Sequence, residues 1–305
     1  MKKETLQNIV YSPLYLWFKL HAILPMRILY ILSDILYFPL YYIVHYRRKL
    51  VSENLRKAFP DKTDKELKQL EQKFYHHFCD YIVETIKLMH ISDEEMRRRM
   101  KFEQVEIIDR LFEENRSIII LLGHFGNWEW VPSVTLWTRT PDVMFAQIYR
   151  PLKNKWFDRF FLIRFRMYCQ TRYVKSHLTN ETFGQTVHYR LHVRSNPLTD
   201  KYTPSPTNIH HWARFLSQDS PVLTGFEKIA RKTDFAVLYF DVEIVKRGYY
   251  KTTIREIALR PNELPEFEIT DRYTAIMEKT ILRNPWAWLW THKRWKYKHE
   301  DFPGT

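Results

Sequence analysis

An unbroken apolar run, Ser117 to Leu122 (SIIILL), is the feature that most restricts the fold of this chain. It is rich in β-branched residues and lies between polar flanks, a pattern typical of a central strand buried on both faces. Val143 to Tyr149 is a second strand candidate, and Phe235 to Val245 and Tyr249 to Leu259 are predicted to form two strands joined by a turn at Gly248. Helical patterns alternate with these strands. The sequence therefore predicts an α/β fold with a mainly parallel central sheet flanked by helices.

Helix starts are marked by capping boxes of the form S/T-x-x-E, which occur at Thr63–Glu66, Ser92–Glu95 and Thr224–Glu227. The first precedes a helix predicted from Asp64 to about Met89, whose apolar residues recur at near-helical spacing. Two further helices are predicted over Trp156–Tyr168 and Thr270–Leu282. Since no internal repeat or low-complexity linker interrupts the chain, we expect one catalytic domain, residues 51–305, after an N-terminal membrane-anchoring segment, residues 1–50.

The anchoring segment is predicted from Ile28 to Tyr46, 19 residues that contain one charge, Asp34, and one proline. That is about the minimum length for crossing a bilayer as a helix, so the segment either spans the membrane or lies in its interface. The basic residues that follow, Arg47 to Lys49, would place the downstream chain in the cytoplasm. The alternative is an aromatic helix buried against the soluble domain.

Composition narrows the class of partner. The chain has 48 Lys and Arg against 35 Asp and Glu, a net charge of +13, which favours an anionic partner such as acidic lipid, acidic protein or nucleic acid. Six glycines form neither a dinucleotide-binding motif nor a P-loop. The C-terminal stretch Asn284 to Lys298 interleaves tryptophans with cations, which suits either a membrane interface or packing on the core.

The residues directly after the buried run carry a titratable pair, His124 and Glu129. On one continuous helix these positions would point about 140° apart. They can meet if the strand ends near His124, the chain turns at Gly126 and a helix begins near Trp128. A carboxylate bonded to one imidazole nitrogen makes the other nitrogen a better base, and ligands of open α/β sheets bind at this strand edge. The alternative is a histidine that is bonded only locally.

The stretch His124–Glu129 resembles the H-x4-D/E motif of glycerophospholipid-type acyltransferases. More narrowly, it is similar to the lipid A biosynthesis acyltransferases, the lauroyl and myristoyl transferases, which use Glu at this place. Tyr149–Asn154, Leu223–Arg231 and Trp288–Lys296 resemble further blocks of that family in the same order. The resemblance covers the chain from about Leu24 to Lys298.

This resemblance implies a glycerol-3-phosphate acyltransferase-like fold and an O-acyltransferase that moves a fatty acyl chain from acyl carrier protein to a hydroxyl of a lipid A precursor. His124 would be the general base and Glu129 the group that orients it, with direct attack on the thioester. Arg150 would bind phosphate or stabilise developing charge. Asn127 and Asn154 are lesser substrate-binding candidates, for which turn-forming and loop-fixing roles fit at least as well.

The implied partners are acyl carrier protein, the lipid A precursor and the membrane, without nucleic acid, metal or other cofactor. The implied location is the bacterial cell inner membrane, with the catalytic domain on its cytoplasmic face. One stretch departs from the family: His177–Thr199 shows no helix-then-strand pattern. This stretch favours one alternative, a catalytically silent membrane protein that binds lipid. A second alternative, acylation of another glycolipid or lysophospholipid by the same dyad, also stays open.

Overall fold

The structure, a computed structural model, describes residues 3–139, 144–149, 172–175, 190–193 and 209–302. Its α-helices in chain order are α1 (Lys3–Ile23), α2 (Met26–Phe38), α3 (Arg48–Ala58), α4 (Asp64–Lys87), α5 (Asp93–Arg99), α6 (Glu106–Glu113), α7 (Gly225–Thr233) and α8 (Glu268–Arg283). A π-helical turn over Pro39–Ile43 extends α2. The strands are β1 (Met100–Glu103), β2 (Ile118–Leu121), β3 (Met144–Tyr149), β4 (Arg172–Lys175), β5 (Arg190–Val193), β6 (Trp212–Phe215), β7 (Gln218–Pro221), β8 (Ala236–Lys246) and β9 (Tyr249–Ala258).

The main sheet of the described residues has the strand order β1-β9-β8-β2-β5-β3-β4. Neighbouring strands run parallel except in the β8–β9 hairpin, where Gly248 adopts the predicted left-handed conformation. All four residues of β2 are buried, with β8 on one side and β5 on the other. The α/β class with a parallel-rich, helix-flanked sheet is thus confirmed, and the predicted central strand lies inside that sheet.

Strand β5 answers a question that the sequence left open. The stretch from His177 to Thr199 shows no helix-then-strand pattern in sequence, yet its residues Arg190–Val193 form a strand between β2 and β3. His192 is paired with Ile119 of β2 and with Ala146 of β3. Four consecutive residues of alternating polarity carry too weak a periodic signal to be recognised in sequence, so the sheet position beside β2 could not be predicted.

The three capping boxes have different outcomes. Thr63 and Glu66 form both reciprocal bonds of the box at the start of α4, as predicted. Ser92 accepts a hydrogen bond from the Glu95 amide at the start of α5. The third box is wrong: the Thr224 side chain does not cap α7, and the Glu227 carboxylate instead accepts bonds from the amide and hydroxyl of Thr270 at the start of α8.

Helix α2 packs along α4 and is fixed there by polar contacts. Ser33 donates to Asp80 over 2.6 Å, and Asp34 forms an ion pair with Arg247 at 2.6 Å. Lys87 donates to the carbonyls of Ala22 and Leu24 before α2 begins. The charge that would have opposed insertion of this segment is therefore paired within the protein. The proposed boundary at residue 50 stays a prediction.

The opposite face of α2 is apolar and exposed. Among the described residues, Met26–Ile43 is the one helical stretch that is long and apolar enough to cross a membrane, although soluble core helices pass the same test. Its exposed side chains follow helical spacing, and we call Ile28, Ile31, Ile35, Phe38 and Tyr42 the apolar row. One side of α2 thus contacts the domain while the other offers a continuous hydrophobic surface.

The C-terminal tryptophans pack on the core. Trp288, Trp290 and Trp295 are buried, and Trp286 is partly buried. The Trp290 indole donates to the Pro285 carbonyl and the Trp295 indole donates to Ser220. Of the two interpretations left open for this stretch, core packing is correct for these three buried side chains. The indole nitrogens of Trp290 and Trp295 also find partners inside the protein.

Candidate active site

The residues Leu122–Trp130, which we call the motif loop, leave the carboxyl end of β2. The predicted turn is present, since Gly126 has φ of +59°. The predicted α-helix after it is not: a 3-10 helix begins only at Val131, and Glu129 precedes it in a turn. Pro132 at the start of that helix lacks an amide hydrogen and is accommodated in its first turn.

The C-terminal stretch holds the motif loop from one side. Gly126 donates its amide to the Ala287 carbonyl over 3.0 Å, and Leu289 donates to the His124 carbonyl over 3.0 Å. Phe125 and Trp288 are bridged in antiparallel fashion between these two bonds. The backbone on both sides of the Phe125 side chain is therefore fixed by residues more than 160 positions away.

The two residues of the candidate dyad, His124 and Glu129, both contact Trp128. The His124 ring, 6% exposed, meets the Trp128 ring edge to face with centroids 4.9 Å apart. The Trp128 indole donates to Glu129 Oε1 over 3.0 Å. Both predicted residues therefore contact the same side chain, and Glu129 is half-buried beside it. The hydrogen bond between His124 and Glu129 stays a prediction.

Tyr81 of α4 also contacts this group, which the sequence did not indicate. Its hydroxyl donates to Glu129 Oε1 over 3.2 Å, and its ring stacks on Trp128 with centroids 4.1 Å apart. The Glu129 carboxylate raises the pKa of Tyr81 further above its usual range, in addition to the larger effect of burial. Tyr81 lay within a predicted apolar helix face, where nothing distinguished it from an ordinary core residue.

Asn127 is fully buried, and its amide donates to Glu84 Oε2 over 2.7 Å. This contact is the loop-fixing role that the sequence left open beside substrate binding. Glu84 also accepts from the hydroxyls of Tyr30 and Tyr250, each over 2.8 Å. Burial raises the pKa of the Glu84 carboxyl to about 7, although the hydrogen bonds from Asn127, Tyr250 and Tyr30 oppose that rise.

Glu84 thus links four parts of the chain. Tyr30 belongs to α2, Glu84 to α4, Asn127 to the motif loop and Tyr250 to β9. The backbone carbonyl of Glu84 accepts a further bond from the Trp130 indole at the end of the motif loop. A carboxylate with no solvent exposure and three donors holds these segments in one arrangement, since Asn127 and Tyr250 would otherwise be buried without this partner.

The remaining predicted site residues are not among those that the structure describes. Arg150 and Asn154 fall outside the described residues, as does the predicted helix Trp156–Tyr168. Within the described part of the chain, no three His, Cys, Asp or Glu side chains are grouped so that they could hold a metal ion. His211, which is adjacent to His210 in the sequence, bonds Asp271 over 2.7 Å.

Gly126→Ala is expected to lower the free energy of unfolding by about 1–2 kcal/mol, because a side chain is disfavoured in the left-handed conformation. The added Cβ would also lie 3.2 Å from Val242 Cγ1 and 3.3 Å from Tyr250 Cε1. Urea denaturation measures the loss. Gly225→Ala is the matched control, since its Cβ meets nothing within 4 Å. An equal effect of both substitutions would contradict the special requirement at Gly126.

A family model for bacterial lipid A biosynthesis acyltransferases matches residues 6–297, nearly the whole chain. This range includes the motif loop, α2 with its apolar row, and the C-terminal tryptophans that pair with the motif loop. A comparison with curated proteins gave no match.

Proposed function

Since the chain belongs to the bacterial lipid A biosynthesis acyltransferase family, we propose that it moves a fatty acyl chain from the thioester of acyl carrier protein to a hydroxyl of a lipid A precursor. Membership in the family makes it an acyltransferase. The observation that carries the finer proposal is the position of His124 and Glu129 against Trp128, just beyond the carboxyl end of β2. Parallel sheets bind their ligands at this edge.

In the proposed reaction the His124 imidazole takes the proton of the acceptor hydroxyl. The oxygen attacks the thioester carbonyl, the C–S bond breaks, and the imidazolium returns the proton to the leaving thiolate. No acyl-enzyme is formed. Glu129 would keep the imidazole oriented and stabilise its positive charge. Its carboxylate is held by Trp128 and Tyr81, so its direction is set before the substrates arrive.

The positive net charge of the chain suits both proposed substrates, since each of them is acidic. The net charge of +13 favours a phosphorylated glycolipid and an acidic carrier protein. We assign phosphate binding, or stabilisation of the tetrahedral oxyanion, to the guanidinium of Arg150 on the resemblance of its sequence block. Asn154 is assigned a minor substrate contact on the same ground.

The apolar row supports membrane association. It presents exposed side chains along one face of α2, while the other face is bonded to α4 through Ser33 and Asp80. Because α4 carries buried carboxylates along this contact, the helix pair is better suited to lie in the interface than to cross the hydrocarbon. The proposed location is the cytoplasmic face of the bacterial inner membrane.

The mass of lipid A from cells with and without the protein tests the reaction and the acceptor together. We expect a difference of one acyl chain. A matched strain that produces the His124→Ala variant should give the mass of cells without the protein. Identical masses in all three strains would contradict the proposed acceptor.

Purified protein then tests the donor and the alternatives. Transfer from acyl carrier protein thioester to the lipid A precursor is expected, with little transfer to lysophospholipid. Acylation of lysophospholipid alone would show that the chain serves another branch of lipid metabolism. Absence of transfer to every acceptor would favour the silent lipid-binding alternative.

A further inference from the structure

A cavity of about 440 Å³, lined by both charged and apolar side chains, lies between α2, α4, the β8–β9 turn and Trp286. It is separate from the side chains of His124 and Glu129, which are not in its lining. The lining residues used below are Asp34, Lys73, His77, Asp80, Arg247 and Trp286. Its size is in the range of natural small-molecule sites, and its charged lining is unusual for a void left by packing.

His77 of α4 connects this cavity to the motif loop. The imidazole is 8% exposed and bonds the backbone of Gly126, while Nε2 is buried without a partner among the described residues. Burial lowers the pKa of His77 to about 4, so the ring is neutral. We assign the proton to Nδ1, which donates to Gly126, and this leaves Nε2 as an unfilled acceptor.

The charges of the cavity balance. Arg247 is shared between two carboxylates, bonding Asp80 over 2.6 Å and Asp34 over 2.6 Å. Lys73, exposed at the mouth, supplies the second cation and has no ion-pair partner in the described part of the chain. Two anions therefore face two cations. A phosphate, which only accepts hydrogen bonds, gains little from such a lining, whereas a hydroxyl can donate to one group and accept from the next.

Trp286 adds an apolar wall beside the acceptor. Its ring meets the His77 ring edge to face with centroids 5.2 Å apart, and it is only partly buried. The apolar row of α2 lies next to the cavity, because Asp34 of the lining falls between Ile31 and Ile35 of the row. A molecule with a hydroxylated head and hydrocarbon tails would match both surfaces at once.

We propose that this cavity binds the hydroxyl-rich headgroup, a sugar or polyol, of a membrane amphiphile whose acyl chains lie along the apolar row. One ligand hydroxyl donates to His77 Nε2, and others are bonded by Asp80, Arg247 and Lys73. Two sources share this chemistry: the glycolipid acceptor itself and a phospholipid with a glycerol headgroup. Only the first of these sources rests on the proposed function; binding in the cavity does not require transfer.

The probe is octyl glucoside below its micelle concentration, titrated by saturation-transfer NMR onto the full chain in phosphatidylcholine nanodiscs. Octyl phosphocholine, with the same tail and no hydroxyl, is the comparison ligand. We expect saturable glucoside binding and at least about tenfold weaker phosphocholine binding. Equal binding of the two would overturn the proposal, since the tail alone would then account for it.

His77→Asn keeps an amide donor near Nδ1 and removes the acceptor at Nε2. Loss of one hydrogen bond to a buried group should weaken glucoside binding about tenfold. His90→Asn, at an exposed position outside the cavity, is the matched control and should bind as the unaltered chain does. Lys73→Gln, at an exposed position on α4, should also weaken glucoside binding. This variant tests the site if His77→Asn folds poorly. Unchanged affinity in the folded variants would overturn the site.

Competition identifies the source. Displacement of the glucoside by the lipid A precursor would make the cavity part of the acceptor site, and displacement by phosphatidylglycerol would make it a separate lipid site. Displacement by neither would overturn the proposal. Since none of these measurements uses acyl transfer, an inactive His124→Ala variant that still binds the probe would separate the cavity from the transfer chemistry.

Discussion

His124→Ala is expected to reduce acyl transfer by about 10²–10⁴-fold, the usual contribution of a positioned general base. The imidazole is the only group of the motif loop proposed to accept the hydroxyl proton. Its backbone carbonyl, which accepts the Leu289 amide, is retained by alanine, so the loop should keep its conformation. The measurement is transfer of labelled acyl chains from acyl carrier protein to the glycolipid, alongside circular dichroism to monitor folding.

Two further variants serve as a control for His124→Ala and as a test of the Glu129 charge. His90→Ala, at an exposed position after α4, should transfer at the unaltered rate. Glu129→Gln retains Oε1 as the acceptor of the Trp128 and Tyr81 bonds and removes only the charge. Transfer should fall at least about tenfold if the carboxylate stabilises the imidazolium. Full activity of the folded His124→Ala protein would rule out the general-base mechanism, whatever Glu129→Gln does.

Glu84→Ala is expected to lower the free energy of unfolding by about 2–6 kcal/mol. Asn127 and Tyr250 are buried donors that would lose their acceptor, at about 1–3 kcal/mol each. Tyr30 would lose its bond as well, loosening α2. Urea denaturation measures the change, with Glu53→Ala on the exposed face of α3 as the control. A loss equal to that of the control would show that the network contributes nothing.

The same carboxyl should make stability depend on pH. Burial raises the pKa of Glu84 from 4.5 to about 7, so between these values the folded protein retains a proton that the unfolded chain has released. Its stabilising effect is complete below pH 4.5 and is lost as pH rises through about 7. The decrease over this window is at most about 3 kcal/mol. Glu84→Gln cannot titrate, and its unfolding free energy should lack this slope.

The sequence predicted what depends on neighbouring residues. The β2 strand, the turn at Gly126, the hairpin at Gly248 and the first capping box are all local patterns, and each is present. It did not predict pairings between distant segments. Glu227 has the spacing of a capping-box residue relative to Thr224, but its carboxylate accepts a hydrogen bond from Thr270, 43 positions away. The tryptophans of the C-terminal stretch suited two environments, and only packing against the core decided between them.

In the candidate site, too, the local pattern could be predicted and the contacts between distant segments could not. His124 and Glu129 could be recognised because they are five residues apart and follow a buried strand. Glu84 and His77 could not, since a polar residue on an amphipathic helix is ordinarily a solvated one. Their role exists only once α4 lies against the motif loop. The sequence thus located the candidate pair, while the groups that hold its backbone required the tertiary structure.

The pairing of the motif loop with Ala287 and Leu289 has a consequence for the order of events during synthesis. Residues 124 and 126 leave the ribosome more than 160 residues before the partners of their backbone groups. A nascent chain can form α4 early, but β2 needs the later strands β5 and β8, and these loop groups stay unpaired until translation is nearly finished. The motif loop should therefore reach its final conformation only when the last segment of the chain has been made.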